Sequence, residues 1–268
     1  MQHNRLETLA RAGYTARGVV YLLLGALALT SALWGGGSED TSGALSGLLD
    51  LPFGRVLVGL IAFGLLGYVL WKLAQGLLDA DGVGDDAKGV LARAGQLVSA
   101  GVNLFLMLTA ARLAINGGGA GGGNGEEKAS AWLIQQPFGA FLLGLVACGV
   151  LAAGAIQIWY GATDGYRKRL SLPHAHRSWM EKVCKFGLIA RGVVLLIIGG
   201  FLFYAAWTVS PEHAGGTAEA LDYVHSLPFG RWLYGLIALG LVAFGAYGLI
   251  EARYRSINAP STARLKPA

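Results

Sequence analysis

Six long apolar runs constrain this chain more than any other feature. They lie at about 17–34, 54–78, 94–115, 139–161, 186–209 and 230–250. Roughly 20 consecutive apolar residues cross a bilayer as a helix. The first run, RGVVYLLLGALALTSALW, carries no charge after Arg17, and the fifth, FGLIARGVVLLIIGGFLFYAAW, carries only Arg191. Six such helices cannot all be the core of a water-soluble domain, because too little polar sequence remains to cover them. Charged residues make up 14% of the chain, against about 25% in ordinary soluble proteins. Backbone groups in lipid must bond within their own segment, which favours helices. The ~10-residue alternating segments of a membrane barrel are absent. The opening MQHNRLETLARAGYTA is polar or mixed, and no small-residue cleavage pattern follows the first run, so that run is expected to be a retained span. Cys148 and Cys184 suggest neither a disulfide framework nor a zinc-ligand spacing.

The net charge of +5 is unevenly placed. About seventeen of the twenty-one Lys and Arg fall in the N-terminal segment, the second and fourth connections, the C-terminal tail or the adjoining helix ends. The other side has Arg55, Arg112, Lys128 and Arg231, with acids such as Glu39, Asp40, Glu126, Glu127, Glu212, Glu219 and Asp222. The positive-inside rule predicts both termini in the cytoplasm of a plasma (inner) membrane. No aromatic-basic motif or recognition helix accompanies the charge, so a nucleic-acid partner is not expected. Attraction to membrane lipids accounts for it more simply.

The six runs are not independent. Pro52, Pro137 and Pro228 each precede Phe-Gly, giving Gly54, Gly139 and Gly230. Seven residues after each proline comes Gly59, Gly144 or Gly235, and twelve after comes Gly64, Gly149 or Gly240. The odd-numbered runs share Gly13, Gly95 and Gly187. The chain is therefore three copies of a two-helix unit, at 10–80, 91–165 and 183–254. An even number of spans per unit gives all three the same orientation. These features predict an all-α, integral membrane six-helix bundle of three parallel two-helix repeats in a pseudo-threefold arrangement. Proline suits the first turn of each re-entering helix, and the small residues predict close helix seams. The segments TSGALSGLLDL, EEKASAWLIQQ and GTAEALDYVHSL predict short helices at the outer interface, and GGGAGGGNG reads as a flexible loop.

Few residues invite a chemical role. Arg17 and Arg191 are repeat partners, replaced by Ser99 in the middle copy; Lys72, Gln157 and Gly248 are likewise equivalent. Two readings stand side by side. Long basic side chains near helix ends reach for headgroups, or the set forms a ring of polar groups facing an anion. Asn103 lies near the middle of the third span and is expected to bond across helices. Gln75, Tyr160 and Glu251 share a position, and Glu251 is expected to pair with Arg253 or Arg255. His174 and His176 sit among arginines, while His213, Glu219, Asp222 and His225 read as a solvated loop rather than a zinc site. No nucleophile elbow, P-loop or metal-hydrolase motif occurs. Neither an enzyme nor a cofactor is expected.

The Ala-Arg-Gly-Val-Val-Tyr opening within Ala12 to Tyr21, the Gly-Ala-Leu of Gly43 to Leu45, the Pro-Phe-Gly-Arg turn and the glycine-rich helix ending near Asp79 form a pattern. With it, the chain resembles a bacterial membrane family catalogued as domain of unknown function 1206. The resemblance covers nearly the whole chain as three copies and is poorer in the second, where Arg17 becomes Ser99 and Arg55 becomes Ala140. It implies a six-helix membrane protein and no established activity. The expectation is a structural, lipid-interacting or accessory membrane module, alone, as a homo-oligomer or with a membrane partner. The alternative is a small-molecule transporter or channel with a pathway between the repeats.

Overall fold

The computed structural model describes residues 2–34, 41–50, 52–117, 125–136, 138–173, 177–210, 213–214 and 216–255. Pro137, His174, His176 and Glu212 lie outside the described residues, as does most of the GGGAGGGNG segment. The described chain is helical: α1 (Gln2–Trp34), α2 (Thr41–Gly47), α3 (Gly54–Leu77), α4 (Ala87–Asn116), α5 (Gly125–Ile134), α6 (Gly139–Ala162), α7 (Arg177–Thr208), α8 (Thr217–Ser226) and α9 (Gly230–Tyr254). Six of these, α1, α3, α4, α6, α7 and α9, are long and apolar enough to cross a membrane. The short helices α2, α5 and α8 fall where the segments before Pro-Phe-Gly predict them. Helices α1 and α7 start more than a turn before their apolar runs, on the polar residues that flank them.

The Pro-Phe-Gly string makes one local structure three times. Phe53, Phe138 and Phe229 sit at φ 61, 62 and 61°, in the left-handed region, and each precedes the first residue of a spanning helix. In the third copy the amide of Gly230 donates to the Leu227 carbonyl at 2.7 Å. That closes a turn with proline second and a positive φ third, the type II pattern. The glycine that follows has no alternative. A Cβ on Gly54, Gly139 or Gly230 would run into the carbonyl oxygen of Leu48, Leu133 or His225 in the preceding segment. A non-glycine residue at positive φ is unfavourable, yet phenylalanine holds it every time, and its ring is left 81–82% exposed. Aromatic rings at both ends of membrane helices sit well at the headgroup boundary.

The helices pack in the spatial order α4, α3, α1, α9, α7, α6. The largest interfaces join the even helix of one repeat to the odd helix of the next: α3 with α4, α6 with α7, and α9 with α1. Glycines seven residues after each proline serve these joints. A Cβ on Gly59, Gly144 or Gly235 would rest 3.7–3.9 Å from Ala114, Ala206 or Ala32, an ordinary contact. Within a repeat, α1 packs on α3 and α7 packs on α9, but α4 and α6 form no comparable interface among the described residues. The pseudo-threefold arrangement is therefore not completed: five links of the ring are made and the sixth is open.

The core follows this order. One apolar cluster joins Val20, Leu45, Val58, Leu65 and Leu113 from α1 to α4; its counterpart joins Leu24, Leu221, Tyr234 and Leu241 from α1, α8 and α9. The middle counterpart, around Leu143, Ala147, Leu202 and Ala205, is smaller. In their most apolar stretches α3 and α9 are 56% and 50% buried, whereas α4 and α6 reach only 17% and 22%.

Candidate membrane-embedded cation site

The odd and even helices of a repeat meet through glycine. A Cβ on Gly13 or Gly187 would collide with the backbone of Tyr68 or Phe244, and one on Gly64 or Gly240 with the side chain of Ala16 or Ala190. These approaches close the seams of the first and third repeats. At Gly95 and Gly149, the matching positions in α4 and α6, a Cβ would meet nothing within 4 Å. Val98 stands where the other copies have Ala16 and Ala190, and Ala153 where they have Tyr68 and Phe244.

Close packing of the outer repeats brings their polar residues together. Arg17 Nη1 donates to Tyr68 Oη at 2.6 Å. Its guanidinium also stacks over Tyr68, Tyr21 and Phe244. Arg191 Nε donates to Tyr21 Oη at 2.9 Å, and its Nη1 donates to Gln157 Oε1 at 2.7 Å. Lys72, buried at 7% exposure, donates to Gln96 Oε1 at 2.6 Å and lies 5.2 Å from the Tyr68 ring centre. Both arginines thus bond to neighbouring helices of the bundle. A continuous polar layer results, running Gln96–Lys72–Tyr68–Arg17–Tyr21–Arg191–Gln157. Its members come from five spans, and Phe244 of α9 packs beneath both guanidinium groups.

Charge in this layer is unbalanced. The guanidinium carbons of Arg17 and Arg191 lie 4.8 and 4.7 Å from the Phe244 ring centre, so they are at most about 10 Å apart. Two like charges at that distance repel by about 2 kcal/mol at an effective dielectric near 20. Aromatic faces offset part of this, at about 1–2 kcal/mol for each desolvated contact. Ion pairs among the described residues involve none of Arg17, Lys72 and Arg191. Gln157 gives its oxygen to Arg191, which fixes its amide orientation, and its Nε2 is buried with no protein acceptor.

A second cluster, of one arginine and two acids, lies nearer the chain termini. Arg255 Nη1 donates to Glu251 Oε1 at 2.6 Å, and its Nη2 lies 3.4 Å from Asp81. Gln75 Nε2 donates to Asp81 at 2.7 Å. Burial works against the charge of Arg255, but Tyr14, Glu251 and Asp81 outweigh it and hold its pKa well above the ordinary guanidinium value. Glu251 thus pairs with Arg255, one of its two expected partners.

Of the candidate polar residues, Arg17, Lys72, Gln157 and Arg191 come together, and Asn103 does not join them. Asn103 Nδ2 donates to the Ser99 carbonyl of its own helix at 2.8 Å instead of bonding across helices. Tyr21, Tyr68, Gln96 and Phe244 complete the layer and were not singled out from sequence. Their repeat positions were available, but which way each helix turns was not.

Comparison with known proteins agrees with the repeat. The model of the family described as Domain of Unknown Function (DUF1206) matches at residues 12–79, 94–164 and 186–255. The chain belongs to this family. It is also similar to the uncharacterised protein YxxB of Bacillus subtilis, 32% identical over 256 residues, which cover 94% of this chain and 92% of that protein. No solved structure matches. The three family segments coincide with the three helix pairs, so the middle pair is a full family unit despite its open seam.

Proposed function

We propose that the chain is a non-enzymatic, multi-pass membrane module that interacts with lipid through the unclosed seam of its middle repeat. The observation that carries this reading is the contrast at the seam glycines. Gly13, Gly64, Gly187 and Gly240 are covered by a neighbouring helix, while Gly95 and Gly149 are not. The flanking side chains are apolar and open, with Val98 at 66%, Val102 at 65% and Leu145 at 62% exposure. Acyl chains pack against such a surface by van der Waals contact, as a further helix would. A non-enzymatic role is supported by the make-up of the polar layer, which contains Arg, Lys, Tyr and Gln and no nucleophile–base pair. The basic flanks support a bacterial plasma membrane with cytoplasmic termini, which reporter fusions at each connection test.

Native mass spectrometry of the full chain released from membranes tests the function. A retained lipid at fixed stoichiometry is expected, and it should be displaced in a Gly149→Leu variant that fills the seam. Protein that carries no lipid, or that fills the seam with a second copy or another subunit, overturns the reading. A second reading, transport, is favoured by one observation: the polar layer crosses the bundle from α4 to α6. Solute flux into liposomes that depends on Arg17 and Arg191 would support it.

A further inference from the structure

The seam indicates where a lipid enters, and the polar layer indicates which part of it is held. We propose that Arg17, Lys72 and Arg191 form a binding site for a phosphate-type oxyanion, presented by the headgroup of an anionic lipid lodged between α4 and α6. The lipid source rests on the reading above; the oxyanion chemistry stands on the layer itself.

Four observations lead to it. First, the hydrogen-bond partners of the three cations are all neutral: Tyr68, Tyr21, Gln157 and Gln96. Ionisable groups inside a membrane protein are normally paired or functional, and these three have no paired carboxylate among the described residues. Second, the nearest acids, Glu251 and Asp81, pair directly with Arg255 and make no ion pair with the three cations of the layer. Third, Gln157 Nε2 is a buried donor with no protein acceptor, and it sits beside Arg191. An oxyanion takes such a donor together with the cations. Fourth, the two ends of the layer are Gln96 on α4 and Gln157 on α6, the two helices that leave the seam open. A ligand arriving from the lipid between them meets the layer at its ends.

Class follows from chemistry. Guanidinium groups bind phosphate oxygens through paired, charge-assisted hydrogen bonds. Basic pockets between spanning helices hold anionic headgroups. A cation would be repelled, and a neutral headgroup would leave the like charges opposed.

The test uses the full chain in neutral detergent with two probes: phosphatidylglycerol in mixed micelles, and inorganic phosphate. Lipid occupancy is read by native mass spectrometry and phosphate binding by calorimetry. Variants are R17Q, K72Q, R191Q and Q157L, with R112Q as a charge control on the exposed face of α4. Phosphatidylglycerol is expected to bind the parent chain and R112Q alike and to bind the three cation variants at least tenfold more weakly. Q157L keeps all three charges, so a threefold or greater loss there isolates the donor if a cation variant fails to fold. Phosphate binding with these same losses, but no lipid binding, upholds the oxyanion site and overturns the lipid reading. Lipid binding unchanged across R17Q, K72Q, R191Q and Q157L overturns the site and leaves the lipid reading standing. If neither probe binds the parent chain, both fail.

Discussion

The first and third repeats resemble each other more than either resembles the second. In the outer pair, glycine on one helix meets an aromatic residue on the other, Gly13 against Tyr68 and Gly187 against Phe244. An arginine then stacks on the rings so placed. In the middle repeat the glycines persist, but Ser99 and Ala153 replace the arginine and the aromatic. The seam there has lost its filling rather than its clearance. Small residues allow helices to approach; they do not compel it. What holds the outer seams together is the larger group that each glycine admits.

That contrast can be broken at its strongest point first. Gly13→Ala or Gly187→Ala should cost about 2–3 kcal/mol, because the added methyl meets backbone that cannot move aside. Gly95→Ala should change stability by about 0.5 kcal/mol or less, as substitutions at uncrowded positions do. Thermal unfolding in detergent, followed by tryptophan fluorescence, reads both, and equal costs at Gly13 and Gly95 would show the middle seam to be closed.

A smaller effect is expected at the turn arginines. Arg231 donates from Nε and Nη2 to the carbonyls of Ala32 and Leu33 at the end of α1, at 2.9 and 2.7 Å. The guanidinium of Arg55 likewise lies against Gly117 at the end of α4. The middle repeat has Ala140 at this position. Arg231→Ala should therefore cost about 1.5 kcal/mol, the worth of charge-assisted bonds to terminal carbonyls. The same substitution in reverse, Ala140→Arg, should stabilise the α6–α7 joint by a fraction of that in the same unfolding assay.

Rebuilding the missing pair sharpens the comparison from the other side. Ser99→Arg with Ala153→Tyr restores the arginine and aromatic of the outer repeats. It should raise stability by about 1 kcal/mol if α4 and α6 can close, and cysteine cross-linking across the seam should then become efficient. No gain in either measurement would mean that Val98, in place of alanine, is enough to keep the helices apart. The smallest perturbation uses the natural cysteines. Cys148 on α6 is exposed and Cys184 on α7 is buried, so in detergent at alkaline pH, where the thiolate can form, a lipid-soluble maleimide should label Cys148 well ahead of Cys184. Labelling of both at similar rates would contradict the packing order.

Much of this architecture was legible in the sequence, for physical reasons. Length and hydropathy identify spans because the bilayer demands about 20 residues of either. The Pro-Phe-Gly string locates the turns because its glycine lies against a carbonyl that leaves no room for a side chain. The open seam was not legible, since Gly95 and Gly149 look the same as their closed counterparts. The substitution of Arg17 by Ser99 was visible as a weak second copy, but its meaning depends on Tyr68 and Phe244, which lie on other helices. Lys72 and Gln157 were recognised as repeat partners. That one bonds α4 and the other bonds α7 follows only from the packing order.

The order of the helices also bears on how the chain is made. Of the six described spans α1 leaves the ribosome before the others, and two of its faces are reserved for α3 and α9. The second of these partners is made after the other five. Until α9 arrives, Arg17 and Tyr21 lack the Phe244 ring that covers them in the finished protein. A charged residue in an early span must therefore wait in the bilayer with one side bare. Helix α1 is the natural client of any insertion factor or chaperone that tends this protein during synthesis.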